Sequence, residues 1–305
     1  MIEDFKKTTV LVTNICNSKC EDCYVRSKSH DNQVISIEVI ESIKKMFKMY
    51  KKPRHLTISG GEPTLVLPEV EKLLKDTSDI NTKIITNGWW GGNNKVESQL
   101  LKLIDETGLN IVQISCGIEH QKWTPIANIL RSIDVIISGG KSVNVEVIYE
   151  IKHYSEKQNI IKYFKEHSEL YGDRFKAASG YWNNVCDQKY ANGRAGQDAK
   201  LEAQWCDKLD GVNILIRYDG EVYRCCGAYI VGVGEPYSLG NIKNNYVVPF
   251  SRSDAYAEYF LALNNDTERI VNKRLADEKF KKMHRCEQCN CMTLKRFDME
   301  DGRYV

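Results

Sequence analysis

Apolar residues recur along the first half of the chain in two alternating rhythms. Residues 8–13 are rich in Val, Leu and Thr and predict a strand. Residues 35–49 repeat Ile37, Val39, Ile40, Ile43, Met46 and Phe47 at helical spacing, and residues 55–59 return to a strand pattern. The alternation continues with a helix over 68–75, a strand over 82–86, a helix over 95–107 and a strand over 110–115. A helix over 124–133, a strand over 142–150 and a helix over 155–172 complete it. Strands separated by helices in this way predict an α/β fold, a parallel sheet closed fully or partly into a barrel. In such a barrel, chemistry belongs at the C-terminal ends of the strands.

After about residue 178 the rhythm breaks. Residues 181–204 are polar, with Asn183-Asn184 and Gly193-Arg194-Ala195-Gly196, and read as a linker. Residues 212–218 and 222–225 are β-rich and flank Asp219-Gly220, a strong hairpin signal. Residues 255–263 and 277–283 look helical, and Cys286-Glu287-Gln288-Cys289-Asn290-Cys291 follows. The predicted organisation is a barrel unit over 1–180, a linker over 181–204 and a second unit over 205–305.

Composition narrows the function classes. Hydrophobic residues at 42% and charged residues at 28% suit a globular chain, and a net charge of +2 argues against a nucleic-acid partner. The longest apolar runs fall well short of the roughly 20 residues that span a bilayer, and the first residues lack a secretory signal pattern. The expectation is a cytoplasmic protein with no membrane partner. In a reducing compartment, the eleven cysteines read as metal ligands or free thiols rather than as a disulfide framework.

Two groups of cysteines stand out. Cys16, Cys20 and Cys23 follow the first predicted strand, and three soft thiolates on one loop suit three corners of a four-iron cluster, leaving the fourth iron open. A structural zinc site would want four ligands. With Tyr24 after the last cysteine, this segment resembles the signature of the radical S-adenosylmethionine (SAM) superfamily. Gly60, Gly61, Glu62 and Pro63, at the end of the second strand, are similar to the motif that in this superfamily receives the methionine amino group. Glycines permit close backbone approach, and Glu62 offers a carboxylate to an ammonium. Asn87 and Ser115, at the next two strand ends, resemble positions that touch the rest of S-adenosylmethionine. The resemblance implies a partial (β/α)6 TIM-like barrel of parallel strands followed by a small α+β auxiliary domain.

The second group comprises Cys206, Cys225, Cys226, Cys286, Cys289 and Cys291. Its order resembles the Twitch domain, a shortened SPASM extension that carries one auxiliary [4Fe-4S] cluster. The resemblance implies Cys206, Cys225, Cys286 and Cys289 as ligands. A zinc ribbon remains an alternative on spacing alone. Adjacent side chains on a strand face opposite ways, so only one of Cys225 and Cys226 can readily face a cluster. Cys116 and Cys186 read as buried small hydrophobes.

Asp-Gly-x-x-Tyr-x-Cys-Cys over 219–226, together with Asn-Gly-Trp-Trp over 87–90 and His120, looks most like the radical peptide epimerases. That likeness implies a ribosomally made precursor peptide as substrate and a reductant such as flavodoxin or ferredoxin. It also implies reductive cleavage of S-adenosylmethionine to a 5'-deoxyadenosyl radical, hydrogen abstraction from the peptide, and L-to-D epimerisation with Cys226 as hydrogen donor. Peptide crosslinking or dehydrogenation, or dehydrogenation of a sugar or cyclitol, are the alternative outcomes.

Overall fold

The computed structural model describes residues 5–20, 23, 25, 27, 32–49, 53, 55–139, 143–149, 154–179, 212–223 and 238–244. Tyr24, Cys186, Cys206, Cys225, Cys226, Cys286, Cys289 and Cys291 lie outside the described residues.

Six strands, β1 (Phe5–Leu11), β2 (His55–Ser59), β3 (Asn81–Thr86), β4 (Ile111–Cys116), β5 (Asn144–Tyr149) and β6 (Phe175–Ser179), pair in sequence order and in parallel. Between them run α1 (Ile37–Met49), α2 (Leu67–Leu74), α3 (Asn94–Thr107), the short α4 (Ile118–Gln121), α5 (Ile126–Gly139) and α6 (Tyr154–Tyr171). Three further strands, β7 (Val212–Ile216), β8 (Glu221–Tyr223) and β9 (Ser238–Asn241), extend the sheet beyond β1. The order β6-β5-β4-β3-β2-β1-β7-β8-β9 is that of an open sheet, so the parallel strands form a partial barrel.

The core is built by register. Parallel pairing aligns Val10, Ile58, Ile84, Val112, Val145 and Phe175 in one row across six strands, and Ile216 prolongs it on the far side of Val10. Every member of that row is buried. It packs under the apolar faces of the helices, among them Ile40 and Ile43 of α1, Leu73 of α2, Leu103 of α3 and Ile133 of α5. Strands covered by helices bury their side chains in aliphatic rows, which is why the predicted strands read so plainly. Residues of opposite parity, such as Thr9, Thr57, Lys83, Gln113 and Glu146, are only half-buried. Across that second face Lys83 Nζ donates to Glu146 Oε2 at 2.5 Å and to Gln113 Oε1 at 3.3 Å.

Three elements differ from the sequence expectation. β1 begins at Phe5 because that residue pairs with Val212 of β7, a partner distant in the chain. The expected helix over 124–133 runs on to Gly139. The expected hairpin is present, its strands closing earlier than 218 and 222: Gly220 N donates to Arg217 O at 2.9 Å and Arg217 N to Glu221 O at 2.8 Å. Tyr218-Asp219-Gly220 therefore form a three-residue loop, with Gly220 at φ 92° in the left-handed place. α4, β6 and β9 are unexpected; each is short, and β6 is carried by only one large apolar residue, Phe175.

Ile84 sits in the middle of the buried row with no exposed surface. Ile84→Ala should lower unfolding free energy by about 3 kcal/mol, read by urea denaturation; a loss below about 1 kcal/mol would mean that the row is not close-packed.

Candidate active site

The C-terminal ends of β1, β2, β3 and β4 carry Cys16 to Cys23, Gly60 to Pro63, Asn87 and Ser115 respectively. After β1 and β2 end, their chains stay paired: Val12 N donates to Ser59 O at 2.9 Å, Gly61 N to Thr13 O at 2.7 Å and Glu62 N to Ile15 O at 2.8 Å. This approach is closer than any side chain allows. A Cβ on Gly61 would lie 2.0 Å from Ile15 O, and one on Gly60, whose φ is 147°, would lie 2.5 Å from Thr13 O. The two glycines thus admit the backbone that leads into the cysteine loop, a role their expected contact with a ligand did not reveal.

Glu62 is the hub of the site. Its carboxylate is fully buried and accepts four hydrogen bonds. Oε1 takes Thr64 N at 3.1 Å, Thr64 Oγ1 at 2.6 Å and Thr86 Oγ1 at 2.7 Å, and Oε2 takes Asn87 N at 2.8 Å. Two indoles fix the direction of the hydroxyls: Trp89 Nε1 donates to Thr64 Oγ1 at 2.9 Å, and Trp90 Nε1 to Thr86 Oγ1 at 3.0 Å. Each hydroxyl, having accepted from an indole, gives its single proton to Glu62. Burial pushes the Glu62 pKa upward, whereas the bonds from Thr64, Thr86 and Asn87 favour the anion. Oε2 accepts one bond and has room for a second donor.

Asn87 joins this hub to the cysteine loop. Its Nδ2 donates to Asn17 Oδ1 at 2.9 Å and Ser18 Oγ at 3.1 Å and lies 3.9 Å from Cys16 Sγ. Its Oδ1 accepts from Trp89 N at 3.0 Å. Sequence reading set Trp89 and Trp90 beside Asn87 in one motif, but it gave Thr64, Thr86, Trp89 and Trp90 no part in holding Glu62, and Asn17 and Ser18 none in holding the cysteine loop. Only the hydroxyl two places after Glu62 and the hydroxyl directly before Asn87 hint at them, because the β2–β3 register that unites them is invisible in the chain.

The structure brings Cys16, Cys20 and Cys23 together. Burial pushes the Cys16 thiol up to about 11 and the Cys20 thiol up to about 12, and in each case charge on neighbouring cysteines of the trio adds to the rise. Cys16 Sγ accepts from Ser18 N at 3.3 Å, Cys20 Sγ donates to Glu119 O at 3.6 Å, and Cys23 Sγ is 3.5 Å from Ser27 Oγ. Among the described residues, no three His, Cys, Asp or Glu side chains are placed to hold one metal ion. A four-iron cluster takes one thiolate per iron, so its ligands need not converge on one metal ion, and Cys16, Cys20 and Cys23 are near enough for charge on one to act on the others. Metal must displace the thiol protons, which is the ordinary cost of ligation by a neutral thiol.

Ser115 lies on the half-buried face of β4, opposite in register to Ile148. Cys116, the next residue, is buried on the helix side, and burial pushes its thiol up to about 12. This agrees with its reading as a small hydrophobe. His120, in α4, is nine-tenths buried, and that burial lowers its pKa to about 4. β8 ends at Tyr223, two positions before Cys225.

Residues 10–120 match the Radical SAM superfamily, and residues 206–290 match SPASM, an iron-sulfur cluster-binding domain. A "Probable GTP 3',8-cyclase" of Saccharolobus islandicus is 27% identical over 144 residues, 46% of this chain and 43% of the cyclase. The chain thus matches less than half the length of that curated relative. Among solved structures, native anSMEcpe with bound AdoMet and Cp18Cys peptide superposes at a TM-score of 0.51 and 18% identity, covering 83% of this chain and 81% of that one. The same protein with AdoMet and Kp18Cys peptide gives 0.50 and 17%, covering 78% of each chain. These likenesses establish a shared fold. Radical SAM and SPASM domains imply a [4Fe-4S] cluster, S-adenosylmethionine and an auxiliary cluster.

Two outcomes follow from the site's electrostatics. Glu62→Gln can keep an acceptor for the three donors on Oε1 but turns an NH2 towards Asn87 N, and should cost about 2 kcal/mol in urea denaturation because that buried donor loses its partner. His120, neutral in the fold and ordinary when unfolded, favours the unfolded state as it protonates. Stability should therefore fall as pH drops from 6.5 to about 4, by up to about 3 kcal/mol, and His120→Gln should flatten that part of the profile.

Proposed function

We propose, from the premise that this chain carries a radical SAM domain and a SPASM domain, that it is a radical SAM enzyme acting on a ribosomally made peptide. In this reading, it inverts an L residue to D with Cys226 as hydrogen donor. The observation that supports the first step is the three-thiol loop held against Glu62 and Asn87. Cys16, Cys20 and Cys23 would hold the first cluster, and Cys206, Cys225, Cys286 and Cys289 the auxiliary one. When bound, the first cluster supplies the electron that cleaves S-adenosylmethionine, and the adenosyl fragment then takes hydrogen from the substrate.

The chain's own residues do the rest. Glu62 Oε2 keeps a place for the methionine ammonium, and the Gly60-Gly61-Glu62-Pro63 backbone, Tyr24 and Ser115 would hold the remainder of S-adenosylmethionine. The dry row under the sheet keeps the strand ends from shifting, so that a bound substrate stays aligned. The peptide reading draws on Asp-Gly-x-x-Tyr-x-Cys-Cys and on a fold that accommodates the Cp18Cys peptide in anSMEcpe. A reductant such as flavodoxin or ferredoxin would supply electrons.

A small-molecule substrate is the second reading, favoured by the likeness to the probable cyclase. That likeness extends over less than half the chain, so it speaks for a shared catalytic domain before a shared substrate.

Anaerobically reconstituted chain supplied with strong reductant and S-adenosylmethionine should release 5'-deoxyadenosine, and Cys20→Ser should abolish the release. With the precursor peptide in heavy water, epimerisation adds one deuterium per event, and Cys226→Ala should still cleave S-adenosylmethionine while leaving the residue uninverted. Loss of two hydrogens instead of deuterium gain would replace epimerisation by crosslinking or dehydrogenation. Turnover of a nucleotide or sugar with no peptide product would favour the second reading.

A further inference from the structure

We infer that Asn87 is a positioning residue for the cysteine loop: its amide ties residues 16–18 to the end of β3 and so helps set the reduction potential of the cluster that Cys16 would hold. The inference rests on the reading of Cys16, Cys20 and Cys23 as cluster ligands.

The resemblance assigns Asn87 to S-adenosylmethionine, yet its amide is already spent within the protein. It has two N–H protons, and the loop offers acceptors for both, Asn17 Oδ1 at 2.9 Å and Ser18 Oγ at 3.1 Å. Its carbonyl accepts from Trp89 N, and its backbone N–H is held by Glu62 Oε2 at 2.8 Å. The residue is thus fixed from the β2 side by a buried carboxylate and reaches across to the loop.

What it holds is the environment of one sulfur. Ser18, whose hydroxyl Asn87 grips, donates its backbone N–H to Cys16 Sγ at 3.3 Å, and Asn87 Nδ2 itself lies 3.9 Å from the same sulfur. The backbone N–H of Ser18 and the Asn87 amide that holds it in place together stabilise negative charge on this sulfur. A reduced cluster carries one more negative charge than an oxidised one, so these donors favour reduction. Cutting the tether should make the cluster harder to reduce.

The test is an anaerobic redox titration without S-adenosylmethionine, followed by electron paramagnetic resonance. The signal followed is the one that S-adenosylmethionine perturbs in the wild-type chain. Asn87→Ala removes the donors, whereas Asn87→Asp keeps the acceptor for Trp89 N and the bond to Glu62. Ser18→Ala cuts the tether from the loop side. Asn87→Ala and Asn87→Asp should lower the equilibrium constant for one-electron reduction on the order of tenfold, a midpoint about 59 mV more negative, and alter the signal's g-values. Ser18→Ala should shift both in the same direction, and Ser18→Ala combined with Asn87→Ala should do no more than Asn87→Ala alone, because both cut one connection.

Variants whose midpoint and spectrum match the wild type while their affinity for S-adenosylmethionine falls would overturn the inference and make Asn87 a cofactor contact. If Asn87→Ala takes up no iron, Asn87→Asp and Ser18→Ala decide by the same criteria. A wild-type chain that takes up no four-iron cluster overturns the ligand reading and the inference together, whereas a normal wild type with unshifted variants overturns the inference alone.

Discussion

A single buried carboxylate holds the strand ends in register. Placing the Glu62 anion out of water costs several kcal/mol unless its oxygens are satisfied. Four donors from two different strand ends satisfy them. The requirement works in both directions: β2 and β3 must end where Thr64, Thr86 and Asn87 can all reach one side chain, and the two tryptophans must donate to the threonine hydroxyls so that each hydroxyl proton points inward. Few alternative arrangements satisfy all of these bonds at once. A site built this way is rigid before any ligand arrives, which is what chemistry on a reactive fragment demands of its container.

The cysteine loop inherits that rigidity through two contacts of different kinds. Steric closeness comes from Gly60 and Gly61, where even a methyl group would collide with the backbone at Thr13 and Ile15. Polar direction comes from Asn87, which reaches the loop from the other side. Between them the loop leaves β1 with little freedom over residues 12–18. Behind the strand ends the aliphatic row from Val10 to Phe175 resists shear of one strand past the next, since slipping the register would turn buried side chains towards the polar face.

Much of the fold was legible in the chain because its strands are dry on the helix side and its helices are amphipathic. His55–Ser59 was read to the residue. What escaped was short or was decided at long range. β6 has little but Phe175 to announce it. The start of β1 depends on Val212, and the three-residue hairpin loop depends on how Arg217 pairs with Glu221. At the site, the residue types that chemistry requires were visible: three thiols at cluster spacing, a Gly-Gly-Glu-Pro turn and an asparagine at a strand end. Their division of labour was not. Glu62 and Asn87 read as ligand contacts; the structure adds that they bind each other and that Asn87 also binds the loop, through a β2–β3 pairing that no local pattern records.

β1, the strand that leads into the three thiols, lies inside the sheet with β2 on one side and β7 on the other. Its second neighbour is a segment in the last third of the chain, with Val10 opposite Ile216. Until that late segment has been made and has returned, one side of β1 presents unpaired amides and carbonyls. That pairing spans a very large sequence separation, the kind that is slow to form and leaves an adhesive edge meanwhile. Completing the pairing of the strand beside the thiols thus requires the hairpin that leads in sequence into Cys225 and Cys226.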